Sequence, residues 1–327
     1  TGSIIAETDA DIIVKAANSA GVTVVGNVGD SGGVGIATLD VDKDLTIQGE
    51  SHAAAVDVAT GATLTIDDNF DVGTATLNTT GKVVFNTDGV AAATTVAGAI
   101  TGGGVGEGTI QTTNTGGTTF GGAIGANDLL LVDVDATSTF SSTVDAVALT
   151  ADATTTVTGN AGIDTITITG ATANFAGTVA TTGGAENDII LADGTAKVVF
   201  TGAKTYTTAI TSSTTSEGTV QLTGVANIVG SIGTDADNTV ATLDVDESSS
   251  ISGSVFVDAT TISDTDVLTF DGGAAQTVTG TIDSDDGADN GDIAVSATVG
   301  GVTFSGAIGS NDVIEVLDDN SATTYNG

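Results

Sequence analysis

One stretch of the chain is used twice. Gly116-Gly117-Thr118-Thr119-Phe120-Gly121-Gly122-Ala123-Ile124-Gly125-Ala126-Asn127-Asp128 returns as Gly300-Gly301-Val302-Thr303-Phe304-Ser305-Gly306-Ala307-Ile308-Gly309-Ser310-Asn311-Asp312, 184 residues further on. Glycine, phenylalanine and Asn-Asp fall in register, and weaker copies lie before and between the two. A sequence that repeats in this way builds its structure by stacking one unit, each copy burying its apolar side against the next.

The phrase Gly-x-[Ile/Val]-Gly punctuates the chain, ending at Gly29, Gly125, Gly233 and Gly309. Each time it follows a short apolar strand, a polar turn and a second strand. The spacing implies one continuous array over residues 1–327, with blocks at 11–107, 108–217, 218–290 and an incomplete 291–327. Unequal blocks are expected if whole rungs have been gained or lost. A second offset is superimposed: Ala37-Thr38-Leu39-Asp40-Val41-Asp42 matches Ala241-Thr242-Leu243-Asp244-Val245-Asp246, and Leu64-Thr65-Ile66-Asp67 matches Leu268-Thr269-Phe270-Asp271, both 204 residues apart. Lys82-Val83-Val84-Phe85 resembles Lys197-Val198-Val199-Phe200.

These runs alternate apolar and polar residues with a period of two, Leu and Val pointing one way and Asp or Thr the other. Runs of four to six such residues recur between Gly, Asn, Asp and Ser. No window carries a helical period, and the Ala-rich pieces are interrupted by Thr and Val, which are poor helix formers. The fold class is therefore all-β. A parallel β-solenoid (β-helix) explains the similarity of neighbouring short units, and stacked β-branched residues suit its ladders. Tandem Ig-like β-sandwich domains are the alternative, since they would produce blocks of roughly 100 residues. The absence of Pro, Cys and Trp favours the solenoid.

Composition narrows the function. Five Lys face 42 Asp and Glu, and the net charge is −37. Such a surface repels nucleic acid, whose binding requires cations to neutralise phosphates. It is equally unsuited to anionic membranes. It attracts divalent cations, for which carboxylates and carbonyls are ligands. Without Cys there is no thiol chemistry. No apolar run is long enough for a membrane-spanning helix. The chain has no Arg, no Trp and two Tyr, and so lacks the usual groups that grip a reacting sugar; no enzymatic activity is expected. His52, the only histidine, is expected at an exposed or half-buried strand end.

The candidate metal ligands are the Asn and Asp residues that follow the glycine phrases. They are Asn127 and Asp128, Asn311 and Asp312, Asp164 after Gly159-Asn160-Ala161-Gly162-Ile163, and Asp188 after Gly183-Gly184-Ala185-Glu186-Asn187. Asp283 and Asp285 come from the acidic run 283–292. Two readings stand side by side: turn residues bonding their own backbone, or Ca²⁺ held at one or more of these places.

The stretch Gly159 to Ile166 is similar to the calcium-binding nonapeptide of RTX repeats, which implies a glycine turn and a shared ion at Asp164. The phrases Gly-Gly-Thr-Thr-Phe-Gly-Gly-Ala-Ile-Gly and Gly-Thr-Ile-Gln, with Thr/Val/Asp strands between them, resemble the repeat regions of large bacterial surface proteins. The nearest likeness is to passenger regions of autotransporter adhesins of the rickettsial outer-membrane protein B type, and the composition is similar to that of S-layer proteins. The resemblance implies an extracellular or bacterial cell-surface location and no catalytic residues. The expected role is structural: a subunit or segment of a surface layer or extracellular fibre that self-assembles with divalent cations. The other expectation is an adhesin stalk that meets a host or neighbouring-cell surface. The array opens just before Asp11-Ile12-Ile13-Val14 and closes after a copy of the repeat has restarted. Neighbouring copies are thus expected to complete the stack, or the 327 residues to be a window on a longer protein.

Overall fold

A computed structural model describes residues 11–14, 21–30, 36–86, 92–180, 188–235, 237–263, 265–285, 291–296, 300–310, 314–319 and 322–326. They form 34 strands and no helix. The chain divides into two compact units, Thr1–Ile163 and Asp164–Gly327. Both are parallel β-solenoids, with about 13 coils in all. Apart from a bridge between Asp235 and Asn238, the pairings among the described residues are parallel, which removes the sandwich alternative.

Each coil of the first unit contributes to three ladders. The first runs through Asp11–Val14, Ile36–Val41, the end of Ser51–Val58, the end of Phe70–Leu77 and Ala99–Gly102. The second contains Val22–Val24, Leu45–Ile47, Thr63–Ile66, Lys82–Phe85, Thr109–Thr112 and the ends of Ile124–Val134 and Val144–Ala151. The third passes from Val28 through Ser51 and Phe70 to Thr94–Val96, Thr118–Phe120, Ser138–Phe140 and Thr155–Val157. The second unit repeats this three-ladder plan, one ladder containing Lys197–Phe200, Glu217–Leu222, Val240–Val245 and the end of Val255–Ile262.

Period-two alternation decides what is inside. In Ile36–Val41 the inward Leu39 and Val41 are buried while Thr38 and Asp40 stay partly exposed. Identical positions then stack coil upon coil, and the few aromatic residues stack with them. Phe120 lies face to face on Phe140 with centroids 4.7 Å apart, and Phe85 meets Phe120 edge-on at 5.2 Å. In the second unit Phe200 packs on Tyr206 at 4.3 Å. The buried Tyr206 hydroxyl donates to the Gly202 carbonyl at 3.1 Å, and burial raises its pKa.

The 204-residue offset is structural as well as textual. Ile36–Val41, Leu45–Ile47, Ser51–Val58 and Thr63–Ile66 are reproduced as Val240–Val245, Ser249–Ile251, Val255–Ile262 and Val267–Phe270. The register is reproduced too: Ile36 pairs with Ala53 and Val240 with Val257, while Leu45 pairs with Leu64 and Ser249 with Leu268. Strand length, register and corner positions are thus encoded within each copy.

The four phrase-ending glycines all adopt the left-handed conformation, with φ of 87° at Gly29, 78° at Gly125, 74° at Gly233 and 64° at Gly309. There glycine avoids the penalty that a Cβ brings. A side chain at Gly125 would also overlap the Asp145 carbonyl of the next coil. The phrase therefore marks corners where the chain turns and neighbouring coils come into close approach.

Candidate functional site

The candidate metal ligands occupy separate places in the fold. Asn127 and Asp128 sit at an exposed corner within Ile124–Val134. The Asn127 N–H donates to Thr101 Oγ1 at 3.0 Å, and its side-chain amide donates to the Gly102 carbonyl at 3.2 Å. Asn127 thus stitches two coils together. Asp164 lies in Ala161–Ile168 and Asp188 opens Asp188–Leu191, where burial raises its pKa. Asp283 is buried and accepts from Ser310 Oγ at 3.3 and 3.2 Å, whereas Asp285 accepts from Ser263 Oγ at 2.7 Å. Asn311 and Asp312 lie outside the described residues. Among the described residues, no group of three or more His, Cys, Asp or Glu side chains is arranged to hold a metal ion.

One carboxylate pairing was hidden from sequence. Asp145, on the coil after Asp128, has its pKa raised first by burial and then by the Asp128 charge, against a lowering bond from the Gly162 N–H. A raised carboxyl pKa means that the folded state holds the proton more tightly than the unfolded chain. Ionised Asp145 therefore weakens the fold as pH climbs past the ordinary carboxylate range, and the penalty is complete at neutrality. Asp145→Asn is expected to unfold at a higher temperature than the parent near pH 7 and at a similar temperature near pH 3. Thermal melts at the two pH values read this directly; an equal gap at both would remove the assignment.

His52 differs from expectation in its burial. It is the second residue of Ser51–Val58, near a strand end as expected, but it is buried at 9 % exposure with its ring between two carboxylates. Nε2 is 3.3 Å from Glu50 Oε2, and Nδ1 is 3.4 Å from Asp71 Oδ2. With Asn69, Thr95 and Ala97 these side chains line an open cavity of about 380 Å³. The equivalent residue 204 positions on is Phe256, so the second copy has no imidazole at this place.

The feature built twice is a sheet face. In the first unit it is carried by Lys82–Phe85, Thr109–Thr112 and the ends of Ile124–Val134 and Val144–Ala151. Parallel register places Lys82, Thr109, Leu131 and Ala148 in one outward row and Val84, Gln111, Asp133 and Thr150 in the next. Gln111 Nε2 donates to Asp135 Oδ2 at 2.6 Å, and Thr150 Oγ1 donates to Asp133 Oδ1 at 2.7 Å. In the second unit the rows are Lys197, Thr219, Thr242, Ala259 and Val199, Gln221, Asp244, Thr261. There Gln221 Nε2 donates to Asp246 Oδ2 at 2.6 Å, and Thr261 Oγ1 donates to Asp244 Oδ1 at 3.2 Å. The Asp244 pKa is raised by burial and then by Asp246, with Thr261 and Lys197 pulling it down. Chemically, each face offers an ammonium group at one end and a pair of carboxylates two coils away. Sequence showed the Lys-Val-Val-Phe match but not the face, because the other three strands recur at slightly different offsets.

The fold defines a parallel β-solenoid. No protein-family model matches the chain, and comparison with curated proteins and with solved structures returns no match.

Proposed function

We propose that the protein is an extracellular structural protein, a subunit or segment of a bacterial surface layer or fibre that self-assembles with divalent cations. The observation that carries this reading is the repetition of outward-facing chemistry on a solenoid: strands, register and surface hydrogen bonds recur within one chain. Repetitive surfaces suit periodic contacts, since any contact one copy makes is available again to the next. The likeness of the glycine phrases to bacterial surface-protein repeats supports the same conclusion. A net charge of −37 opposes close approach of copies, so cations that neutralise acidic side chains belong to the mechanism.

Negative-stain microscopy and light scattering of the pure protein, in calcium and then in chelator, test the proposal. Ordered sheets or fibres that dissolve on chelation are expected. Unchanged monomers under both conditions would overturn it and favour an adhesin stalk.

A further inference from the structure

The duplicated face carries an unusual pattern of identity. At its outward positions Lys82, Thr109, Gln111, Asp133, Ala148 and Thr150 equal Lys197, Thr219, Gln221, Asp244, Ala259 and Thr261, and Leu131 against Thr242 differs; Val84 also equals Val199, which is buried. The inward positions behave otherwise. Val83, Phe85 and Val134 equal their counterparts, but Ile110, Thr112, Val132, Leu149 and Ala151 face Val220, Leu222, Leu243, Thr260 and Ile262. A repeat kept only for stacking would hold its core and let its surface vary, because inward side chains must fill a fixed space. Here the surface is held more closely.

Internal bonding explains part of this: Gln, Asp and Thr bond one another along each face. It gives the lysines no contact partner, although Lys197 acts on Asp244 at longer range. Among the described residues no lysine lies within ion-pair distance of a carboxylate, although the chain has 42 acidic residues and five lysines. Lys82 and Lys197 stand at the same corner of the two faces, with Asp133 and Asp135, or Asp244 and Asp246, two coils away. Two coils span about 10 Å.

We propose that each face docks against the same face of a second copy of this chain, turned end for end. Lys82 then meets Asp135 of the other copy, and the reverse contact forms by symmetry; Lys197 and Asp246 do the same in the second unit. A contact of this kind is self-complementary. Charge decides the occupant: polyanions are repelled by the surrounding acidity, while a second copy supplies a carboxylate for each lysine and a lysine for each carboxylate. This rests on the self-assembly reading and names its contact surface.

The test compares the full-length parent with the double variant Lys82→Glu/Lys197→Glu by light scattering at fixed calcium and rising salt. Far-ultraviolet circular dichroism and melting confirm that each variant is folded. The variant is expected to need about tenfold more protein or greater to associate. Combining it with Asp135→Lys and Asp246→Lys restores the complementary charges and is expected to restore association. Parent-like association of the double variant overturns this contact while leaving self-assembly standing. A parent that never associates overturns both.

Discussion

Phe120→Ala is expected to lower unfolding stability by about 3–5 kcal/mol, measured as a shift in the urea midpoint followed by circular dichroism. Phe120 is wholly buried, stacked on Phe140 at 4.7 Å and touched edge-on by Phe85 at 5.2 Å. Removing the ring deletes both contacts and leaves a void. The void cannot close easily, because Thr118–Phe120 is held by ladder bonds on both sides, to Thr94–Val96 and to Ser138–Phe140. Phe256→Ala is the control: Phe256 is partly exposed and faces outward, so its loss is expected to be clearly smaller. Equal midpoint shifts for the two variants would mean that the aromatic stack contributes no more than surface area.

The second large effect is at a corner. Gly125→Ala is expected to cost about 3 kcal/mol or more, from left-handed strain together with overpacking. Gly125 has φ of 78°, and a Cβ there overlaps the Asp145 carbonyl, so the next coil must shift. Two other glycines separate the contributions. Gly61 has φ of 76° with nothing within 4 Å, so Gly61→Ala isolates the conformational part at about 1 kcal/mol. Gly273 also has open space and no left-handed angle, and Gly273→Ala is expected to be neutral or stabilising by about 0.4–1 kcal/mol. Denaturant midpoints for the three variants should fall in that order. If Gly125→Ala and Gly61→Ala lose the same stability, close approach between coils is not what selects glycine at the phrase.

How much of this was legible in the sequence depends on the distance over which a signal acts. Alternation in Ala37–Asp42 is local, and it gave the correct inward residues, Leu39 and Val41. The Gly-x-[Ile/Val]-Gly phrase is local too, and its last glycine is left-handed in all four cases. Those two signals, with the repeats, were enough for an all-β solenoid. Lateral neighbours were not legible, because the length of a coil varies. Asp128 and Asp145 meet across coils whose residues are offset by 17 at Ala148 and Leu131 but by 22 at Leu131 and Thr109. No fixed spacing could have paired them. The burial of His52 was missed for the same reason: Glu50 is visible two residues away, but Asp71 arrives from the next coil. Among the candidate metal ligands, Asn127 and Asp285 prove to be bonded across coils, a role that their turn-like surroundings did not specify.

Every ladder joins residues that are only one coil apart in the chain, such as Leu45 with Leu64 or Lys197 with Thr219. Loop-closure entropy is therefore modest at each step, and no pairing has to wait for a distant part of the polypeptide. With neither proline nor cysteine in the sequence, the two commonest slow steps, peptide-bond isomerisation and disulfide exchange, are missing as well. Structure can thus grow by sequential templating, each finished coil offering its open edge to the next segment as that segment becomes free. Such a chain is suited to acquiring its shape progressively, while part of it is still unfolded.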